Sequence, residues 1–129
     1  LAHVFREDIS AGQRVLAAVE VLAGDLEDSG FAEGCPLATI SLELAATSAV
    51  IRVAAAQAYE SWIGAITRGL SEVPPDQARA VAIFVLSSIE GAMLLARVQQ
   101  SRAPIDQVGA MLATLATAFE SGFLPPPPG

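Results

Sequence analysis

Few side chains in this chain can do chemistry. Among 129 residues there is one histidine, His3, and one cysteine, Cys35. A structural zinc site needs about four nitrogen and sulfur ligands, and acid–base catalysis by histidine needs a partner in hydrogen-bond reach. These two residues provide neither. No nucleophile elbow, phosphate-cradling glycine loop or zinc-ligand spacing occurs. The expectation is a protein that is not an enzyme and holds no metal or cofactor. Cys35 precedes Pro36 at the start of a helix, where backbone amides could stabilise a thiolate and make it a redox sensor; a small buried residue is the better reading. Glu90 stands alone in a long apolar stretch, and a buried carboxylate without a partner is strongly unfavourable. It needs a pocket role, an ion pair with Arg97 on the same helix, or a partner on a second subunit. Glu43 poses the same question and is better read as a cap or surface pair.

The elements that must carry these residues follow from composition. With 53% hydrophobic and 16% charged residues the chain can bury a sizeable core as one domain. Fourteen acidic residues face seven arginines and no lysine, a net charge of −7. The arginines are spread from Arg6 to Arg102 without forming a patch, so these residues alone should not hold DNA. A lone cysteine excludes an internal disulfide and suits a reducing cytoplasm. The first residues lack the basic start and apolar core of a secretion signal. The run Ala80 to Ala96, between Arg79 and Arg97, is somewhat short for a membrane span, and Ser87, Ser88 and Glu90 interrupt it. A helix covered by protein, with no membrane, is the preferred reading.

The periodicity predicts an all-α chain of five helices. Ser10 and Gln13 have the spacing of a capping box, and Val15, Leu16, Val19, Leu22, Ala23 and Leu26 recur at helical intervals until Gly30. Asp25, Glu27 and Asp28 oppose the dipole at that end and should let it fray. Pro36 opens a short helix to Ala46. Thr47 and Ser48 cap a third, whose apolar face is Ile51, Ala55, Ala58, Tyr59, Trp62, Ile66 and Leu70. After Val73-Pro74-Pro75, a fourth helix runs from Asp76 to about Gln100 and should be the longest and most buried. Ala103-Pro104 starts a fifth, ending at Gly122, and the proline-rich end after it reads as a disordered tail. The last two helices are too apolar for one subunit to cover. A four-helix bundle across a twofold axis of a homodimer follows, with Ser88, Gly91, Ala92 and Leu95 of the fourth helix and Ile105, Val108, Leu112, Leu115 and Phe119 of the fifth at the interface.

Four segments carry a family resemblance: Gly34-Cys35-Pro36-Leu37-Ala38, Leu42-Glu43-Leu44-Ala45, Glu90-Gly91-Ala92-Met93-Leu94-Leu95-Ala96-Arg97 and Ala103-Pro104-Ile105. In order and separation they resemble the C-terminal domain of TetR-type regulators of the LmrA- and YxaF-like branch. The likeness spans nearly the whole chain, although each motif is short and apolar.

The resemblance implies a two-part regulator: an N-terminal helix-turn-helix domain, not contained in this sequence, and a C-terminal domain that binds an effector and dimerises through its last two helices. Residues 1–8 would be the remnant of the connecting helix, 9–122 the effector-binding and dimerisation domain, and 123–129 the tail. A small hydrophobic effector would shift the spacing of the two DNA-reading heads and release a repressor from its operator. A pocket for it should be apolar with a few orienting polar groups. The candidates are Tyr59, Trp62, Phe84, Ser87, Glu90 and Met93, with Phe5 and Val19 from earlier helices; for Tyr59 and Trp62 plain core packing competes. The alternative function is a stand-alone helical homodimer acting as a binding or scaffold module.

Overall fold

The computed structural model describes residues 9–122; the expectations for Phe5, the connecting-helix remnant and the proline-rich tail lie outside them. Five helices follow one another: α1 (Ala11–Asp28), α2 (Pro36–Leu44), α3 (Ala49–Arg68), α4 (Pro75–Gln99) and α5 (Ala103–Glu120). Among the described residues there is no strand.

Local sequence explains most boundaries. Ser10 Oγ accepts from the Gln13 amide and the Gln13 side chain accepts from the Ser10 amide, so the capping box forms as expected. Glu120 Oε1 accepts from the Ala11 amide at 2.7 Å, tying the start of α1 to the end of α5. At the other end Gly30 and Phe31 both take positive φ, and the Phe31 amide donates back to Leu26 O at 2.8 Å, turning the chain and folding Phe31 onto the core. Ser48 caps α3, and prolines stand in the first turns of α2, α4 and α5.

The core lies where α1 meets α5 and α4. Val19, Ala23 and Leu26 of α1 pack against Ile105 of α5 and against Ala92 and Ala96 of α4, with Val15, Met93 and Val108 half-buried around them. Gly109 permits the close approach: a Cβ there would stand 2.7 Å from Val19 Cγ1. Arg102 clamps the same seam, reaching Glu20 at 2.7 Å and Glu27 at 3.1 Å on α1 and Asp106 at 2.9 Å on α5. The α1 end predicted to fray is therefore held in part by Glu27. Arg79 bonds both carboxylate oxygens of Glu60, joining α4 to α3.

Two expectations need correction. Helix α4 is the longest but not the most buried. Its enclosed residues are the alanines 78, 82, 92 and 96, while Phe84, Leu94 and Leu95 are more than half exposed and Val98 is 74% exposed. The helix is apolar all round, one chain covers only the alanine face, and the large side chains are left outside. By length and composition α4 could also cross a membrane; it packs instead against α1, α3 and α5. The second correction concerns the interface residues. Ala92, Ile105 and Leu112 are buried inside their own chain, and Val108, Leu115 and Phe119 are half-buried there, because the apolar side of α5 is consumed by α1 and α4. Gly91 and Leu95 do face outward, and Ser88 is half-buried with its hydroxyl donating to Phe84 O at 2.7 Å. The outward stripe of α4 is Phe84, Ser87, Gly91, Leu94 and Val98, alternating by three and four residues, with Met111 of α5 62% exposed beside the same pair of helices.

Candidate functional site

Helix α2 has no fully buried residue. It lies along α3, and the loop leading to it from α1 passes near α4 instead of filling the space between them. The result is a cleft with two lobes. The larger, about 970 Å³, is bounded by Leu22 and Leu26 of α1, Trp62 and Ile66 of α3, and Leu86 and Ile89 of α4. The smaller, about 400 Å³, lies between Ser41 and Leu42 of α2, Tyr59 of α3, and Gly91 and Arg97 of α4. Gly34, Cys35, Glu90 and Met93 line both and form the shared wall. Ligand pockets for small molecules are typically 300–1,000 Å³.

Helical spacing aims these side chains together. Tyr59 and Trp62, three residues apart on α3, meet edge to face with ring centres 5.6 Å apart and planes at 84°. Glu90, Met93 and Arg97 occupy successive turns of one α4 face. Gly34 sits against Arg97, whose Nη1 is 3.6 Å from where a Cβ would stand. The loop is shaped by Ser29, whose hydroxyl donates to Leu26 O at 2.9 Å and accepts from the Glu33 amide at 3.2 Å.

Electrostatics favour the protonated forms of the Cys35 thiol and the Tyr59 phenol. Burial pushes the Cys35 thiol up. The adjacent Glu90 carboxylate pushes further the same way, against the lowering by the amides of Ala38 and Leu37. The helix-start effect that would make Cys35 a thiolate is thus present but loses to desolvation and a like charge, which disfavours the thiolate that a redox sensor uses. The Tyr59 phenol is raised as well, by burial first and then by Glu90 and Cys35, so it remains a donor at neutral pH. Ser41 lies toward that phenol, yet its Oγ is buried and closes no hydrogen bond of ordinary geometry. Buried hydroxyls are nearly always satisfied, and the Tyr59 phenol is the neighbour placed to satisfy this one.

The structure brings four predicted site residues together, Tyr59, Trp62, Glu90 and Met93. The others are elsewhere. Phe84 lines a separate apolar cavity of about 290 Å³ with Leu115 and Phe119. Ser87 is exposed on the outer face of α4. Val19 is a correction: it is only 4% exposed, jammed against Gly109 in the core. Among the described residues Glu90 and Arg97 form no ion pair, because seven residues of helix set their heads too far apart along the axis. Sequence reasoning missed Ser41, Leu42 and the rim acids Asp25, Asp28 and Glu33. Ser41 has no period or motif to flag it, and the rim acids look like an ordinary solvated helix end. Among the described residues no three histidines, cysteines or acids stand together as a metal site.

Residues 11–111, nearly all of the helical unit, match the family model of the LmrA/YxaF-like transcriptional regulator C-terminal domain. The chain belongs to this family. Two HTH-type transcriptional regulators, described as uncharacterized and from two strains of Mycobacterium tuberculosis, are each 30% identical to it over 129 aligned positions, covering 84% of this chain. The chain spans 66% of the length of these relatives. No solved structure matches it significantly. Five helices, with no strand among the described residues, are consistent with an all-α TetR C-terminal domain of the LmrA/YxaF-like kind.

Proposed function

We propose that this domain is the effector-sensing and dimerising part of a cytoplasmic DNA-binding repressor, released from its operator by a small apolar or aromatic ligand bound in the two-lobed cleft. The observation that carries this reading is the cleft itself: apolar walls from α1, α3 and α4, an edge-to-face Tyr59–Trp62 pair, and the Ser41 hydroxyl beside the Tyr59 phenol in one wall. A ligand there touches four helices at once and can favour one arrangement of them over another, which is all that effector control demands. The outward stripe of α4 supports a homodimer, since large side chains at Phe84, Leu94 and Val98 are exposed at coiled-coil spacing. DNA contact belongs to a helix-turn-helix domain outside these residues, as the net charge of −7 is unsuited to phosphates.

Trp62 is the only tryptophan, so its fluorescence reports on the cleft directly. Neopentylbiphenyl, a neutral aromatic probe, should change it saturably at one molecule per chain, and Ala65→Phe, which fills the larger lobe, should abolish the change with the helical circular dichroism intact. Sedimentation should give twice the 13.3 kDa chain mass, reduced to one chain by Leu94→Arg. A probe response unaffected by Ala65→Phe, or a monomer at micromolar concentration, overturns the corresponding half of the reading.

A further inference from the structure

We infer that the smaller lobe of the cleft is completed by a second copy of the chain, so that ligand binding and dimerisation strengthen each other; this rests on the cleft being a ligand site and on α4 carrying the dimer face. The wall of that lobe and the outward stripe of α4 share residues. Gly91 and Leu94 line the lobe, and both are exposed in the stripe. Helical geometry enforces the overlap. At 3.6 residues per turn, Glu90, Met93 and Arg97 turn toward the cleft, Phe84 and Val98 turn outward, and Leu94 falls between the two sets. Whatever covers the stripe therefore reaches the mouth of the lobe.

That mouth is unfinished within one chain. Its α2 side is Leu42, 81% exposed, and its α4 side is Leu94, 57% exposed. Gly91 adds no side chain to the wall, and a Cβ there would meet nothing within 4 Å. A ligand in the lobe keeps one side in water, and the two leucines stay wet beside it. Sites for small molecules usually bury most of the ligand surface, so a further wall is missing.

The occupant that fits is an identical chain. The stripe from Phe84 to Val98 holds no charged residue, and the exposed positions of α5 from Gln107 to Thr117 hold none either. Nothing there addresses an acidic or a basic partner. With a charge of −7 on each copy, two chains meet at least cost through uncharged faces, and such a face matches itself about a twofold axis. Each copy then closes the other's lobe, giving two completed sites per dimer. If closure removes about 55 Å² of apolar ligand surface from water, at about 25 cal/mol per Å², the dimer binds about tenfold tighter than the monomer, a difference of about 1.4 kcal/mol. Linkage makes the effect reciprocal: with two sites, saturating ligand should lower the dimer dissociation constant about a hundredfold.

The test uses the 129-residue chain. Leu42→Trp in a Trp62→Phe background carries a single indole, at the mouth of the lobe. Its emission should shift to the blue, and its quenching by acrylamide should fall, over the concentration range in which sedimentation shows monomer becoming dimer. Val98→Arg lies in the stripe but lines neither lobe; it should weaken the dimer, and at concentrations where it is monomeric it should bind neopentylbiphenyl about tenfold less tightly by calorimetry, with the helical circular dichroism intact. Saturating neopentylbiphenyl should strengthen the dimer of the unaltered chain. A dimer that leaves the indole at position 42 as exposed as in the monomer, equal probe affinity in monomer and dimer, or a Val98→Arg dimer as tight as the parent's overturns the inference while both the pocket and the dimer stand. A chain that stays monomeric at every concentration leaves the stripe to some other partner and overturns it through the dimer reading; absence of probe binding to any form overturns it through the pocket reading.

Discussion

The α1–α5 seam allows a substitution to be worked through in advance. In Gly109→Ala the new Cβ stands 2.7 Å from Val19 Cγ1, 2.9 Å from Cγ2 and 3.1 Å from Cβ. Carbon atoms in good contact are about 3.5–4.0 Å apart, so α1 and α5 must separate by most of an ångström. Rotation offers no escape. Valine in a helix keeps one χ1 rotamer about 90% of the time, and here both γ-carbons obstruct. Replacing glycine in a helix by alanine would otherwise stabilise by about 1 kcal/mol, whereas overpacking a core destabilises by about 1–3 kcal/mol. The overlap with a buried, rigid neighbour at least offsets that gain, and a net loss of up to about 2 kcal/mol is expected from those two terms. Val19→Ala alone should lose about 2 kcal/mol by opening a cavity. Combining the two lets the new methyl occupy the space the valine leaves, so the double variant should be more stable than the sum of the single losses by at least about 1 kcal/mol. Urea unfolding followed by circular dichroism, at one protein concentration because a dimer's stability depends on it, measures all four proteins. A Gly109→Ala protein about 1 kcal/mol more stable than the parent, or strict additivity in the double variant, would refute the packing argument.

Three further outcomes are expected. Because Cys35 is raised, the fold favours the neutral thiol; that contribution is present below the free-thiol range and is lost as pH rises through the higher folded value. Its alkylation by iodoacetamide should accordingly show a midpoint at higher pH in the native protein than in the urea-unfolded chain, and a lower midpoint would contradict the dominance of burial and Glu90. Arg102→Met should lower the Tm by leaving Glu20, Glu27 and Asp106 to repel one another, and the loss should shrink in about 1 M salt, where charges are screened within about 3 Å; a salt-independent loss would mean that packing of the arginine stem dominates. Gly91→Leu should leave chain stability within about 0.5 kcal/mol of the parent, since a Cβ there meets nothing within 4 Å, and should act on sedimentation and on probe binding in the smaller lobe that Gly91 lines. Unfolding of the single chain would place Gly91 in a core it does not line.

Much of this architecture is legible in residue order because it rests on local physics. The Ser10–Gln13 capping box, the prolines at helix starts and the apolar period of α1 each act over one or two turns, and each helix formed within a few residues of its expected span. Glycine, cysteine and proline at 34–36, read with the later segments, were enough to reveal the family resemblance. Tertiary structure decided which side of each apolar helix is used. In α4 and α5 nearly every face is greasy, so periodicity cannot tell core from surface. The choice fell on the faces whose small residues, Gly109, Ala92 and Ala96, let side chains such as Val19 pack closely. That turned Ile105 and Leu112 inward and left Phe84 and Leu94 outside. The cleft was hidden for the same reason. Its two lobes are the volume left over when α2 rests on α3 without reaching the core, and a volume between four helices is a property of their angles and separations, which no one-dimensional pattern of residue types encodes.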